Sequence, residues 1–151
     1  MITRDEARTR PAHVRHSGAN RRPSWCYGTA GIASALHLAA LALDDAARRQ
    51  VTEDALISAV TDPAQQGLVG DASLCHGYAG LARITARAAT DANGSSANRL
   101  SALSVDLLDR ALSQPACDGP GLLEGAAGVG LATLAAVTEP ATGWDSCLLL
   151  A

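Results

Sequence analysis

The sequence contains no phenylalanine and no lysine, and aromatic residues make up only 3% of its 151 residues. Apolar residues nevertheless reach 48%, so the hydrophobic core must be built mostly from alanine and leucine, which favour closely packed helices. No apolar run approaches the ~18 residues that a membrane-spanning helix requires. The length suits one domain with its own core. These properties predict an all-α cytoplasmic protein.

The charge is distributed unevenly along the chain. All twelve basic residues are arginines, and six of them lie in residues 1–24, which carry +4 whereas the remainder carries −7. A basic tail can bind nucleic acid or anionic lipid, but no aromatic residues alternate with these arginines and no apolar signal-peptide segment follows them. We therefore interpret residues 1–24 as a disordered leader, expect no nucleic-acid partner, and assign residues 25–151 to the folded part.

Three segments of the chain align without gaps. They begin at Cys26, Cys75 and Leu123 and read CYGTAGI, CHGYAGL and LEGAAGV. Their first glycines are 49 and 48 residues apart, and a fixed period of roughly 20–50 residues is typical of repeat architectures. The sequence therefore predicts about three stacked repeats, which form a partial ring because a closed ring needs more units.

Each repeat is predicted to be a helical hairpin. Apolar residues follow each motif at helical spacing, with Ile32, Leu36 and Leu43 marking the first inner helix. A second, outer helix follows, and Thr52 is a candidate N-cap for the first of these. His37 falls in the middle of an inner helix and is interpreted as a structural histidine.

The repeat places Cys26 and Cys75 at the same position, just before a glycine-rich turn into a helix. Backbone N–H groups and the helix N-terminus are expected to lower the pKa of such thiols. Gly77 is expected to supply the backbone freedom that lets Cys75 and His76 face the same way. Two thiolates and one imidazole suit zinc, and three protein ligands leave a position open, as in catalytic sites.

Other interpretations of these residues stay open. Cys26 and Cys75 could be small buried hydrophobes and His76 a capping side chain, since the chain has no CxxC pair. Glu124 could be a fourth ligand or a supporting base, although an acid that complements the dipole of the next helix is the simpler interpretation. We interpret Cys117 and Cys147 as cysteines that do not take part in the metal site. His13 and His16 lie in the leader, where the sequence does not predict which residues they contact.

The segments beginning at Trp25, Cys75 and Leu122, together with the ending GWDSCLLL, resemble the C-terminal motifs of the lanthionine synthetase C-like family (lantibiotic cyclases). The resemblance covers residues 22–151. It implies an α/α toroid with a zinc ion at its mouth, held by Cys26, Cys75 and His76. It also implies a catalytic role for Arg22, four residues before the first zinc cysteine, and leaves Tyr27 as a pocket-lining residue.

The resemblance implies peptide modification by thioether formation. A cysteine of a dehydrated precursor peptide, held as a thiolate by zinc, would add to dehydroalanine or dehydrobutyrine and give lanthionine or methyllanthionine. The family's catalytic Asp and His have no counterpart in this sequence. We therefore expect a truncated form that binds zinc but cyclises poorly, with a dehydratase or a missing N-terminal half as candidate partners.

Two other functions compete with the cyclase interpretation. One is a non-catalytic helical scaffold or peptide-binding remnant that zinc stabilises. The other is a carbohydrate-active toroid, which would need paired carboxylates across a cleft. Glu124 has no obvious partner for that role, so the scaffold is the main alternative.

Overall fold

The computed structural model describes residues 22–115, 117–138 and 142–148. These residues form α-helices and one 3-10 turn, with no β-strand among them, which confirms the all-α prediction. The helices are α1 (Thr29–Ala42), α2 (Ala46–Thr61), α3 (Pro63–Gln66), α4 (Tyr78–Asp91), α5 (Gly94–Leu112) and α6 (Ala126–Val137), and the 3-10 turn spans Ser146–Leu148. None of the described helices is long and apolar enough to cross a bilayer. Of the predicted leader, residues 1–24, residues 1–21 lie outside the described part of the chain.

The helices pack as two hairpins and one further helix. Helix α1 packs against α2, and α4 packs against α5, as the repeat predicts. The central helix α4 also contacts α1 on one side and α6 on the other. The three helices that follow the repeated motifs therefore lie side by side in one layer, with α2 and α5 in a second layer. Within the described residues, no outer helix follows α6.

The core is centred on helix α4 and the turn before it. The largest fully buried aliphatic side chains come from α2, α4, α5 and that turn. They are Leu56, Leu74, Leu81, Ile84, Leu100 and Leu107. Helix α4 is in contact with α1 and α6 in its own layer and with α2 and α5 in the second layer.

Helix α1 exists as predicted but buries a different face. Ile32, Leu36 and Leu43 are exposed. The buried face instead carries small or polar side chains, which are Ala30, Ala33, Ser34, His37 and Ala40. Small side chains let α1 approach α2 and α4 closely, and this close approach determines which of the two stripes is buried.

The predicted N-cap of α2 is wrong. The helix begins at Ala46, and Asp45 caps it by accepting a hydrogen bond from the Arg48 backbone N–H at 2.9 Å. Thr52 lies inside the helix, where its hydroxyl donates to the Arg49 carbonyl at 2.7 Å. The same hydroxyl lies 3.3 Å from Nδ1 of the buried His37, so that histidine bridges α1 and α2, which fits a structural role.

The second glycine of each motif allows a close backbone contact that recurs in all three repeats. A Cβ atom at Gly31, Gly80 or Gly128 would collide with a backbone carbonyl oxygen of the preceding turn. The oxygens belong to Trp25, Leu74 and Leu122, each six residues before its glycine. The repeat seen in the sequence therefore corresponds to a repeated turn that packs against its own helix.

The C-terminal residues fold back onto the first two repeats. The Trp25 indole N–H donates to the Leu148 carbonyl at 2.9 Å. The Arg83 guanidinium on α4 forms an ion pair with Asp145, whose side chain is almost fully buried. Arg83 also lies 6.0 Å from the centre of the Trp144 ring. We refer to residues 142–148 and these contacts as the C-terminal clasp.

Candidate metal centre

The candidate ligands lie on three turns of the same construction. In each turn, the N–H of the first motif glycine donates to the carbonyl of the residue four positions earlier. The pairs are Gly28 with Ser24 at 3.1 Å, Gly77 with Ser73 at 3.1 Å and Gly125 with Gly121 at 3.0 Å. A Cβ at any of these glycines would meet the backbone of its own turn. Gly77 has a φ of −103°, which most residues adopt, so the close approach requires the glycine, and the predicted need for backbone freedom is wrong.

The three turns are joined edge to edge by backbone hydrogen bonds. The Cys26 N–H donates to the Cys75 carbonyl at 3.3 Å, and the Cys75 N–H donates to the Leu123 carbonyl at 2.9 Å. Cys26, Cys75 and Leu123 are equivalent positions in the repeat, so residues that align in the sequence also lie beside one another in the structure. The side chains of the first two turns are thereby brought to one rim of the helix layer, as predicted.

A hollow of about 410 Å³ opens on this rim. It is lined by Arg22, Ser24, Cys26, Tyr27, Cys75, His76 and Glu124. All of the site residues predicted from the sequence therefore line one cavity. The Tyr27 side chain is 86% exposed, so it forms part of the rim and not of the floor.

His76 is held through one ring nitrogen. Its Nδ1 lies 2.9 Å from Oδ2 of Asp71 and 3.2 Å from the Ser73 hydroxyl. Its Nε2 lies 3.7 Å from Oε1 of Glu124, whose side chain is 74% exposed. The imidazole is thus anchored on its Nδ1 side, and Nε2 is the nitrogen available to a ligand in the hollow.

The donor types fit zinc, although the side chains are not arranged as a coordination sphere. Among the residues that the structure describes, no three His, Cys, Asp or Glu side chains are gathered so that they could hold a metal ion. The thiol of Cys26 instead lies 3.8 Å from the Ser24 hydroxyl. Two thiols and an imidazole nitrogen on one cavity are nevertheless the ligand set that zinc prefers.

The family model for lanthionine synthetase C-like proteins matches residues 5–149 of the chain. The chain belongs to this family. The match extends across all three repeated motifs and the C-terminal clasp, so the resemblance inferred from the motifs is confirmed. No curated protein matches the chain significantly.

The pKa of the Cys75 thiol is raised, whereas the sequence analysis predicted that it would be lowered. Burial, reinforced by a hydrogen bond to Cys26, raises the pKa of Cys75 to about 11. Electrostatic interactions with Cys26 and Glu124 also raise the pKa of Cys75, and the positive charge of Arg22 opposes them. The helix N-terminus does not outweigh burial and the neighbouring thiol of Cys26.

Asp71 is a site residue that the sequence analysis missed. Burial tends to raise its pKa, but hydrogen bonds from Ser73 and the neighbouring His76 outweigh burial, and the pKa falls below the ordinary aspartate value. The carboxylate therefore stays charged beside the imidazole. Its position five residues before His76 is not a helical or strand spacing, and only the turn brings the two side chains together.

The remaining cysteines lie at the margins of the site or away from it. Cys117 is partly buried against the hydrophobic core, and Cys147 is exposed in the clasp. Cys147 shares a second, neighbouring hollow with Cys26. His13 and His16 lie outside the described residues.

Proposed function

We propose that this chain is a zinc-dependent, cyclase-like protein that binds the cysteine of a dehydrated peptide and promotes thioether formation. Membership of the lanthionine synthetase C-like family supports a role of this kind. The observation that carries the proposal is the hollow that Cys26, Cys75 and His76 all line. Cys26 and Cys75 would ligate zinc as thiolates, and His76 through Nε2.

The chemistry at this site is an addition across a carbon–carbon double bond. Zinc bound there would hold a substrate thiol as the thiolate near neutral pH. The sulfur forms a bond to the β-carbon of dehydroalanine or dehydrobutyrine, the π electrons move onto the carbonyl as an enolate, and the α-carbon then takes up a proton. No oxidant, reductant or leaving group is needed.

Arg22 and Tyr27 line the same hollow as the candidate ligands. The guanidinium of Arg22 is always charged, so it stabilises the negative charge of an incoming thiolate and of the enolate that follows. The exposed ring of Tyr27 offers an apolar surface against which a peptide can pack. Arg22 is therefore the residue to which we assign a catalytic role.

The proposal is tested by X-ray absorption on the zinc-loaded chain, with and without a peptide that contains one cysteine. We expect one light ligand to be replaced by sulfur when the peptide is added, because the open zinc position takes the substrate thiol. The same peptide with serine in place of cysteine is the control and should leave the zinc shell unchanged.

The alternative is a non-catalytic scaffold in which zinc is fully coordinated by the protein. The 3.7 Å distance from Glu124 to Nε2 of His76 favours this alternative, because a carboxylate so close could occupy the fourth position. A zinc shell that does not change on addition of the cysteine peptide would support the scaffold and contradict the cyclase proposal.

We also propose that the protein acts in the cytoplasm. Cys26, Cys75, Cys117 and Cys147 are all free thiols. Free thiols persist in a reducing compartment, where metal ligation and thiol chemistry do not compete with disulfide formation.

A further inference from the structure

The carboxylate of Asp71 is fixed in the turn of the second repeat. Its Oδ1 accepts the Ser73 backbone N–H at 2.8 Å. The Asp71 carbonyl accepts the Tyr78 N–H at 3.0 Å, which ties the residue to the start of α4. Both ends of the residue are therefore anchored, and Oδ2 is left to meet Nδ1 of His76 at 2.9 Å.

This contact determines which imidazole nitrogen carries the proton. An ionised carboxylate only accepts hydrogen bonds, so Nδ1 must donate to it as Nδ1–H. In a neutral ring the other nitrogen, Nε2, then carries the lone pair. The Ser73 hydroxyl, 3.2 Å from Nδ1, is the longer and uncharged neighbour and accepts the His76 backbone N–H at 3.4 Å.

The carboxylate occurs only in the repeat that has the histidine. The positions equivalent to Asp71 are Arg22 in the first repeat and Gly119 in the third. The serine beside it is different, since Ser24 occupies the equivalent position in the first repeat and also accepts a backbone N–H at 3.2 Å. The serine therefore belongs to the shared turn, whereas the aspartate goes with the imidazole.

We propose that Asp71 is a positioning residue, which holds His76 as the Nδ1–H tautomer and thereby presents Nε2 to zinc. This inference rests on the proposed zinc site. Metal-ligating histidines are commonly oriented by a carboxylate on the second ring nitrogen, and loss of that carboxylate typically weakens metal binding ~10–100-fold.

The first test uses the metal-free wild-type chain. Long-range ¹H–¹⁵N correlation spectra at a pH where the imidazole is neutral report the tautomer of each histidine, and His76→Gln identifies the His76 signals. We expect Nδ1–H. A ring that is mainly Nε2–H would overturn the proposal, whether or not any variant folds.

The second test measures zinc affinity by chelator competition in Asp71→Asn, with Asp71→Glu as the conservative variant. We expect ~10–100-fold weaker binding in Asp71→Asn and partial recovery in Asp71→Glu. Asp45→Asn is the matched control, since it removes a carboxylate that also anchors a turn, at the N-terminus of α2, but leaves the site intact.

The outcomes separate this inference from the proposed function. If the wild-type chain binds zinc and Asp71→Asn binds it within twofold as tightly, the role of Asp71 is overturned while the zinc site stands. If the wild-type chain binds no zinc, both proposals fail.

Discussion

At the scale of single residues, the site is governed by what surrounds each donor atom. Partial burial and the neighbouring thiol of Cys26 raise the pKa of Cys75 to about 11. His76 has a carboxylate on Nδ1. These environments favour a protonated thiol and an imidazole with a fixed orientation in the metal-free chain, so zinc binding must release thiol protons and is opposed by acid.

The raised pKa of Cys75 predicts slow alkylation of the metal-free folded chain. The upward shift of the pKa to about 11 leaves less thiolate near neutral pH than an ordinary cysteine has, and the thiolate is the reactive form. We expect alkylation by iodoacetamide, followed by mass spectrometry, to accelerate up to about pH 11 in the folded chain. The same residue in the urea-unfolded chain should level off near its ordinary pKa.

The same pKa shift makes the stability of the folded chain depend on pH. The folded state holds the Cys75 proton more tightly than the unfolded state, so the contribution to stability is present below the ordinary thiol pKa and is lost as the pH rises towards 11. Cys26→Ala should lower the apparent pKa of Cys75 because it removes the hydrogen bond. Equal alkylation profiles in the folded and unfolded chains would contradict this explanation.

The sequence was least informative about the surroundings of individual side chains. The shared repeat position of Cys26 and Cys75 was sufficient to place both thiols on one hollow. The pairing of Asp71 with His76 was not visible, because it depends on the path of a turn and not on a periodic spacing. The direction of the Cys75 pKa shift was predicted incorrectly, because burial and the proximity of a second thiol are three-dimensional properties.

At the scale of the helices, the motif glycines decide whether each turn can dock on its own helix. Gly80 lies in α4, where a Cβ would collide with the Leu74 carbonyl oxygen. Gly130 lies in α6, where a Cβ would meet open space. Glycine weakens a helix at either position, but only Gly80 is required by close packing.

Substituting these two glycines should therefore have opposite effects. We expect Gly80→Ala to destabilise the chain by roughly 1–3 kcal/mol or more through overpacking against the backbone. Gly130→Ala should stabilise it by up to about 1 kcal/mol, because alanine favours the helix. Urea unfolding followed by circular dichroism measures both, and equal unfolding midpoints for the two variants would refute the docking argument.

The helices themselves were largely predictable, since apolar spacing located α1, α4 and α6 after the three motifs. The buried face of α1 was not, because its sequence carries both a leucine and isoleucine stripe and an alanine stripe. Close packing on α2 and α4 selects the alanine stripe. The N-cap of α2 was placed at Thr52 and not at Asp45, because both residues are good caps and only the end of α1 distinguishes them.

At the scale of the whole molecule, the C-terminal clasp joins parts of the chain that are distant in sequence. Trp25 precedes α1, Arg83 lies in α4, and both are held by residues 142–148. The clasp therefore fixes the first cysteine turn relative to the central helix. No spacing in the sequence pairs Arg83 with Asp145, which are separated by 62 positions.

Breaking the clasp should destabilise the fold. Asp145→Ala removes a nearly fully buried carboxylate partner of Arg83, and loss of one member of a buried ion pair costs roughly 3–5 kcal/mol. The control is Asp106→Ala, which breaks the exposed pair with Arg110 on α5 and should change the unfolding free energy by less than about 1 kcal/mol. Similar losses in the two variants would show that the clasp does not stabilise the fold.

A zinc titration of the 151-residue chain against a competing chelator shows whether Cys26, Cys75 and His76 together hold one zinc ion. We expect one tightly bound zinc ion per chain. Cys26→Ser, Cys75→Ser and His76→Gln should each weaken it by more than the ~10–100-fold expected from losing a supporting hydrogen bond, and Cys117→Ser should not change it. Wild-type affinity in the three ligand variants, or an equal loss in Cys117→Ser, would show that these three residues do not hold the zinc ion.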